Sequence, residues 1–260
     1  MRLTLVGHAT VLIELDGVRL LTDPLLRDRV TFLRVPRRPL DPAWSRDLDA
    51  VLLSHFHRDH YDPRSLALLD RSTPVVGPPG TAVRVGRRGF ENVTEIRPGE
   101  SHTVGPVEVR ATPAAHGRTP KPFRSLALGF VVAGSTSLYF AGDTDVFDEM
   151  AELADAEVDV ALLPVGGWGP RLGAGHLDPR RAAESLRLIR PRIAIPMHWG
   201  HLRPLGLGRF SPRYLVEPGR IFAGYAAELA PGVEVRVLAP GESIEVTPAR
   251  AAERRPAGEA

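Results

Sequence analysis

Apolar and polar residues alternate over positions 3–6, 10–15 and 18–21, the period of strands with one face turned to a core. Asp16-Gly17 separates the last two runs and is a two-residue hairpin signal, because both turn positions need positive φ. A short apolar run at 51–53 ends in a burst of histidines, as suits a buried strand that delivers its following loop to a site. Val107, Val109 and Ala111 alternate, and the runs 126–132 and 138–140 predict a hairpin across 133–136. Beyond about residue 145 helix and strand take turns: a helix over 146–153, a strand over 158–163, a helix opened by Asp178-Pro179, and a strand over 193–196. Asp178 can cap, Pro179 fits a first turn, and Ala182, Ala183, Leu186 and Ile189 share one helical face. A helix over 221–229 and a strand pair, 233–238 with 243–246, end the pattern. With no internal repeat and no linker, the reading is one α/β domain over 1–247, followed by a disordered tail, since PARAAERRPAGEA at 248–260 has no apolar period.

Composition narrows the chemistry. The chain is 43% hydrophobic and 25% charged, with 25 glycines and 25 prolines, which describes a loop-rich globular protein. No apolar run approaches the roughly 18 residues that span a bilayer, and the N-terminus lacks a signal peptide's basic region and apolar core, so the expected location is cytoplasmic. Zero cysteines exclude disulfides, iron–sulfur clusters, Cys-based zinc fingers and thiol nucleophiles. Histidines and carboxylates must carry any metal chemistry. The formal charge is +2 and Lys121 is the only lysine. Arginines gather at Arg27, Arg29, Arg34, Arg37 and Arg38, and again at Arg118 and Arg124 beside Lys121. They read either as solvated surface or as anion-binding groups beside a pocket. A nucleic-acid partner is not expected.

The sharpest signal is His55-Phe56-His57-Arg58-Asp59-His60, an H-x-H-x-D-H run placed just after a buried strand. If the loop curls, His55 and His57 converge on one cation while Asp59 and His60 turn toward a second. Imidazole and carboxylate suit zinc, and also iron or manganese. Four ligands cannot close two sites, so further ligands are required at later strand ends. His116, Asp143 and His198 each follow an apolar run.

These residues make the chain resemble the metallo-β-lactamase-fold hydrolases over nearly its whole length. The matching motifs are Gly7-His8-Ala9-Thr10, Leu21-Thr22-Asp23-Pro24, the H-x-H-x-D-H run, Gly142-Asp143-Thr144, His176-Leu177-Asp178-Pro179 and His198-Trp199-Gly200. The chain looks most like the branch with the N-acyl-phosphatidylethanolamine-hydrolysing phospholipase D and the ascorbate-6-phosphate lactonases, and the last two motifs favour the phospholipase-like side. The resemblance implies a four-layer αββα sandwich, with two divalent cofactor ions at one sheet edge. It implies His55, His57 and His116 on the first metal, Asp59, His60 and His198 on the second, and Asp143 bridging. The lack of cysteine departs from many zinc β-lactamases, and His57 stands where a flavodiiron protein would carry glutamate. Redox chemistry is thereby disfavoured.

Other residues keep two readings. His8 is either a structural hydrogen-bonder or a support for the metal ligands, and Asp23 either orients a ligand histidine or caps a turn. His176, in a glycine-rich stretch, either donates to substrate or leaving group or lies on a surface loop. His201 and Trp168 can line a pocket or be ordinary loop residues, and His102 reads as a surface turn. The expected chemistry is hydrolysis by a metal-bridging hydroxide, with Asp59 accepting a proton and His176 or a metal-bound water protonating the leaving group. The bond is a phosphodiester, lactone or other ester of a small or lipid-like substrate. Arg118, Arg124 and the loop around residue 30 predict a preference for anionic, phosphorylated substrates. A nuclease and a catalytically inactive metal binder are the alternatives.

Overall fold

The computed structural model describes residues 1–35, 41–116, 126–207, 210 and 212–248. The N-terminal alternation folds as an antiparallel meander of β1 (Arg2–Gly7), β2 (Thr10–Leu15) and β3 (Val18–Thr22). Its second turn uses Asp16 at φ 52° and Gly17 at φ 82°, the positive-φ pair that the Asp-Gly dipeptide predicts. Two short strands, β4 (Arg29–Val30) and β5 (Leu33–Arg34), follow. The chain then re-enters the sheet in parallel as β6 (Ala50–Leu52), β7 (Val75–Gly77) and β8 (Val93–Glu95), joined through α1 (Pro63–Leu66) and α2 (Thr81–Gly86).

A second meander repeats the plan with β9 (Ser101–Val104), β10 (Val107–Pro113), β11 (Leu128–Ala133) and β12 (Ser137–Phe140). Parallel strands β13 (Val160–Pro164) and β14 (Ile193–Met197) extend it, with α3 (Glu152–Asp155) and α4 (Pro179–Ile189) in the connections. Strand β15 (Arg203–Pro204) pairs with β5, and α5 (Arg213–Val216), α6 (Pro218–Leu229), β16 (Glu234–Val235) and β17 (Glu242–Glu245) complete the described elements. One sheet runs β17-β1-β2-β3-β6-β7-β8 and the other β16-β14-β13-β12-β11-β10-β9.

Side-chain alternation makes four layers of these two sheets. Val11, Ile13, Leu52, Phe130, Val132 and Ile195 point inward and form one shared core. Val131, Tyr139 and Leu163, on the opposite face of the second sheet, pack against Ala182, Ala183, Leu186 and Ile189 of α4 and Phe222 of α6. Leu12, Val51 and Leu53, on the outer face of the first, pack against Leu66 and Val85. The architecture is the αββα sandwich. Helix α4 starts as its residues predict: Asp178 Oδ1 accepts from the Arg181 amide at 2.9 Å.

Three expectations need correction. The runs 233–238 and 243–246 do not pair with each other: β16 joins β14 and β17 joins β1, one in each sheet. Their alternation specifies strand character but not a partner, and the open edges of two different sheets capture them, with Gly241 (φ 85°) turning the chain between. The helix read over 146–153 starts later, as a 3-10 turn at Asp148–Ala151 leading into α3, because Phe147 is extended and gives no side-chain cap. His102 sits in strand β9 opposite Val109, half-buried, and not in a turn. Residues Arg37, Arg38, Arg118, Lys121 and Arg124 and tail residues 249–260 lie outside the described residues.

Candidate metal centre

Six strands deliver polar side chains to one edge of the sandwich. His8 follows β1, Asp23 follows β3, Asp143 lies three residues beyond β12, and His55, His116 and His198 lie one to three residues past β6, β10 and β14. His8, Asp23 and His198 hold positive φ angles of 55°, 34° and 64°, a region that non-glycine residues rarely occupy. Glycine serves where no side chain fits: a Cβ on Gly142 would press within 2.9 Å of the Leu128 carbonyl and of Ser54, and one on Gly7 would overlap the His201 ring. After β6 the H-x-H-x-D-H run curls, with the His60 and Tyr61 amides both donating to the His57 carbonyl at 3.0 and 2.7 Å.

Hydrogen bonds fix which nitrogen each ring presents. Asp23 is fully buried and accepts from the Ser54 amide (2.7 Å), the Ser54 hydroxyl (2.6 Å) and His60 Nδ1 (2.7 Å). With its proton committed to Asp23, the Ser54 hydroxyl accepts from His55 Nδ1 at 3.0 Å. His198 Nδ1 donates to the Gly166 carbonyl (2.8 Å) and His116 Nδ1 to the Gly175 carbonyl (2.9 Å). All four rings therefore turn Nε2 lone pairs inward, the arrangement that second partners impose on metal-binding histidines.

Those lone pairs converge in two groups. His8, Asp59, His60 and His198 bring their ligand-type atoms within 4.8 Å of one another, and so do His55, His57, His116 and Asp143. His60 Nε2 faces His198 Nε2 at 3.0 Å, and His116 Nε2 faces His57 Nδ1 at 3.0 Å. In the His60–His198 pair the other nitrogens already face acceptors, so two neutral rings would repel at that separation unless a proton or a cation lay between them. Asp143 stands between the groups, 3.2 Å from His60 and His198, 3.3 Å from His176 and 3.9 Å from His55. His55 Nε2 and Asp143 Oδ1 are buried without a hydrogen-bond partner among the described residues, a costly state that a metal ion relieves. This is a dinuclear metal-binding site compatible with hydrolytic chemistry.

Protonation follows the same packing. Burial pushes His8 down to about 3 and His116 down to about 4, and it holds His55 well below the ordinary imidazole range. At Asp143 burial favours the neutral acid, but His198 and His60 outweigh it and keep the carboxylate ionised. His60 is pushed the other way, because Asp143 and Asp23 overcome the burial that would discharge it. A proton there does a cation's work, so metal uptake must release it.

His176 reaches the same carboxylate, 3.3 Å from Asp143, while its Nδ1 donates to the Gly173 carbonyl at 3.0 Å. Its pKa is raised: burial opposes this, and the hydrogen bond to Asp143 prevails. His8 Nε2 lies 3.2 Å from Asp59, so His8 hydrogen-bonds at the cluster itself. Trp168 lines a cleft of about 610 Å³ over the centre together with Phe32, Leu172, Arg58 and Arg171. The exposed Phe32 ring meets Trp168 edge-on, with centroids 5.2 Å apart. His201 is buried beneath Gly7 and is not part of that lining. Sequence reasoning missed Ser54, whose hydroxyl carries no local signal, and Phe32, which arrives only through the small sheet of β4, β5 and β15.

Known proteins share this plan. A family model described as a beta-lactamase superfamily domain matches residues 18–199. A UPF0173 metal-dependent hydrolase of Opitutus terrae is 38% identical over 254 residues, spanning 95% of this chain and 100% of that protein. The N-acyl-phosphatidylethanolamine-hydrolyzing phospholipase D 1 of Caenorhabditis elegans is 31% identical over 242 residues, 83% of this chain and 67% of that one. Among solved structures, an isothiocyanate hydrolase from Delia radicum gut bacteria superposes with a TM-score of 0.77 at 19% identity, over 95% of this chain and 100% of that one, a likeness of fold. With the sandwich and its paired histidine–carboxylate clusters, these matches place the chain in the metallo-β-lactamase superfamily, in its UPF0173-type family of metal-dependent hydrolases.

Proposed function

We propose that His55, His57 and His116 hold one divalent metal, that Asp59, His60 and His198 hold a second, and that Asp143 lies between them. The centre would hydrolyse a phosphodiester, lactone or other ester of a small or lipid-like substrate. The observation that carries this reading is the pair of Nε2 atoms of His60 and His198, fixed 3.0 Å apart by Asp23 and Gly166. Nitrogen and carboxylate donors suit zinc, with manganese or iron as alternatives. Bound there, two divalent ions supply Lewis acidity and lower the pKa of water toward about 7.

The protein's own groups do the rest. Asp59 faces the cleft, and His8 donates to its Oδ2, leaving the carboxylate placed to accept a proton as the bond breaks. His176 lines the cleft with a raised pKa and holds a proton at Nε2 for the leaving group. Phe32, Trp168 and Leu172 give the substrate an apolar wall and shed water from the reacting bond. The worm phospholipase, 31% identical, supports a lipid-like phosphodiester among the candidate substrates. The test is elemental analysis of metal-reconstituted protein followed by a screen of phosphodiester, lactone and carboxyl-ester chromogenic substrates. Two metals per chain and turnover of one class are expected. Saturation near one metal, or a two-metal protein inert toward all three classes, would overturn the reading.

A further inference from the structure

Beside the catalytic cleft lies a second cavity, of about 800 Å³, with a different character. Arg27, Arg29, Arg58, Arg64 and Arg88 line it against only two carboxylates, Asp28 and Asp62. Asp62 is already engaged: its Oδ2 caps α1 through the Ser65 amide (3.0 Å), accepts from the Ser65 hydroxyl (2.7 Å), and lies 3.4 Å from Arg27. That pairing holds Arg27 in place and leaves an excess of positive charge in the cavity. Guanidinium groups lining a concave surface can match the oxygens of a phosphate group, which they grip in pairs.

The two cavities share a wall. Arg58, Val30 and Thr31 line both, and Arg58 sits between His57 and Asp59 of the candidate metal centre. The cleft side of that wall carries Phe32, with Trp168 and Leu172 beyond it. We infer that the basic cavity is a phosphate subsite, and that it takes a phosphate group carried by the substrate whose apolar part lies along Phe32 and Trp168. The inference rests on the hydrolytic reading of the cleft. It adds an anion site outside the metal centre, at residues the metals do not use. Arg64 and Arg88 are exposed, line the basic cavity and not the cleft, and serve as its probes.

The test is calorimetric titration of metal-loaded protein with hexylphosphonate, whose carbon–phosphorus bond resists hydrolysis, and in parallel with inorganic phosphate. The doubly substituted Arg64→Ser, Arg88→Ser protein should bind hexylphosphonate at least five-fold more weakly, with unchanged metal content and unchanged turnover of a neutral ester. The Arg64→Glu, Arg88→Glu protein should bind it more weakly still. Hexylphosphonate should also bind the parent at least five-fold more tightly than inorganic phosphate, and compete with substrate. A loss under five-fold in the serine variant would place the phosphonate on the metals and overturn the subsite. Equal affinity for the two ligands would make the cavity a free-anion site and overturn its link to substrate. Because binding is read without turnover, a protein inert toward every ester yet showing the five-fold loss would sink the hydrolytic reading and leave the anion site standing.

Discussion

The two halves of the candidate metal centre are built differently. His8, His60 and His198 are at most 2% exposed, and a buried carboxylate, Asp23, fixes His60. In the other half His55 is just as buried, but His57 is exposed and His116 half-buried, and His116 hangs on the carbonyl of Gly175, in a glycine-rich connection. The inner half is preorganised by hydrogen bonds inside low-dielectric packing, at the expense of burying charge. Both halves reach the cleft, the inner through Asp59 and His198 and the outer through His57. The difference teaches that one centre can combine a deeply buried histidine set with a more exposed pair, His57 and His116, with Asp143 touching both.

The largest expected effect breaks the comparison outright. Asp143→Ala removes the group common to both halves, so metal content should fall from two per chain to below one and turnover by about 10³-fold or more. Full retention of either metal, read by elemental analysis, would show that the halves do not share it. Next, His116→Ala should empty the outer half alone, leaving one metal and a roughly 10²-fold loss of kcat. Loss of both metals would mean that the inner half cannot stand without the outer.

His176→Ala sharpens the contrast on the cleft side: turnover should drop about 10²-fold at two metals per chain, whereas loss of a metal would make His176 a ligand. Asp23→Ala should weaken metal binding by roughly 10- to 100-fold, chiefly in the inner half, because His60 loses its acceptor. An equal weakening at both halves, measured by competition with a chelator, would contradict that placement.

The smallest effect concerns His201, which burial pushes down to about 4 from an ordinary 6.5. Below the unfolded value the unfolded chain binds a proton that the folded ring refuses, so stability falls as pH drops from about 6.5 toward 4. In His201→Asn the decline in Tm between pH 7 and pH 5 should be shallower by a few degrees. An unchanged slope would assign the acid sensitivity to the cluster histidines.

Much of this centre was legible along the chain. The H-x-H-x-D-H run and the histidines and aspartate at later strand ends are local patterns, and the tertiary structure brings all seven proposed ligands to one edge of the sandwich. The Asp16-Gly17 turn and the Asp178 cap were legible for the same reason, since each is decided by a few neighbouring residues. The basic rim was legible only in part. Arg27 turned out to be held by Asp62, while Arg58, Arg64 and Arg88 supply cations that sequence grouping did not join to it.

What the sequence determined by itself is the type of element and the type of ligand, because hydrophobic period, capping and loop curl are short-range. Only the tertiary structure decided the rest. Strands β16 and β17 found partners in opposite sheets, since strand pairing depends on which distant edge is open. Which nitrogen each histidine turns inward depends on acceptors far away in the chain: Asp23 for His60, Gly166 for His198 and Gly175 for His116. Charge, protonation and cavity shape arise from such long-range juxtapositions, and those exist only once the two sheets have closed on their common core.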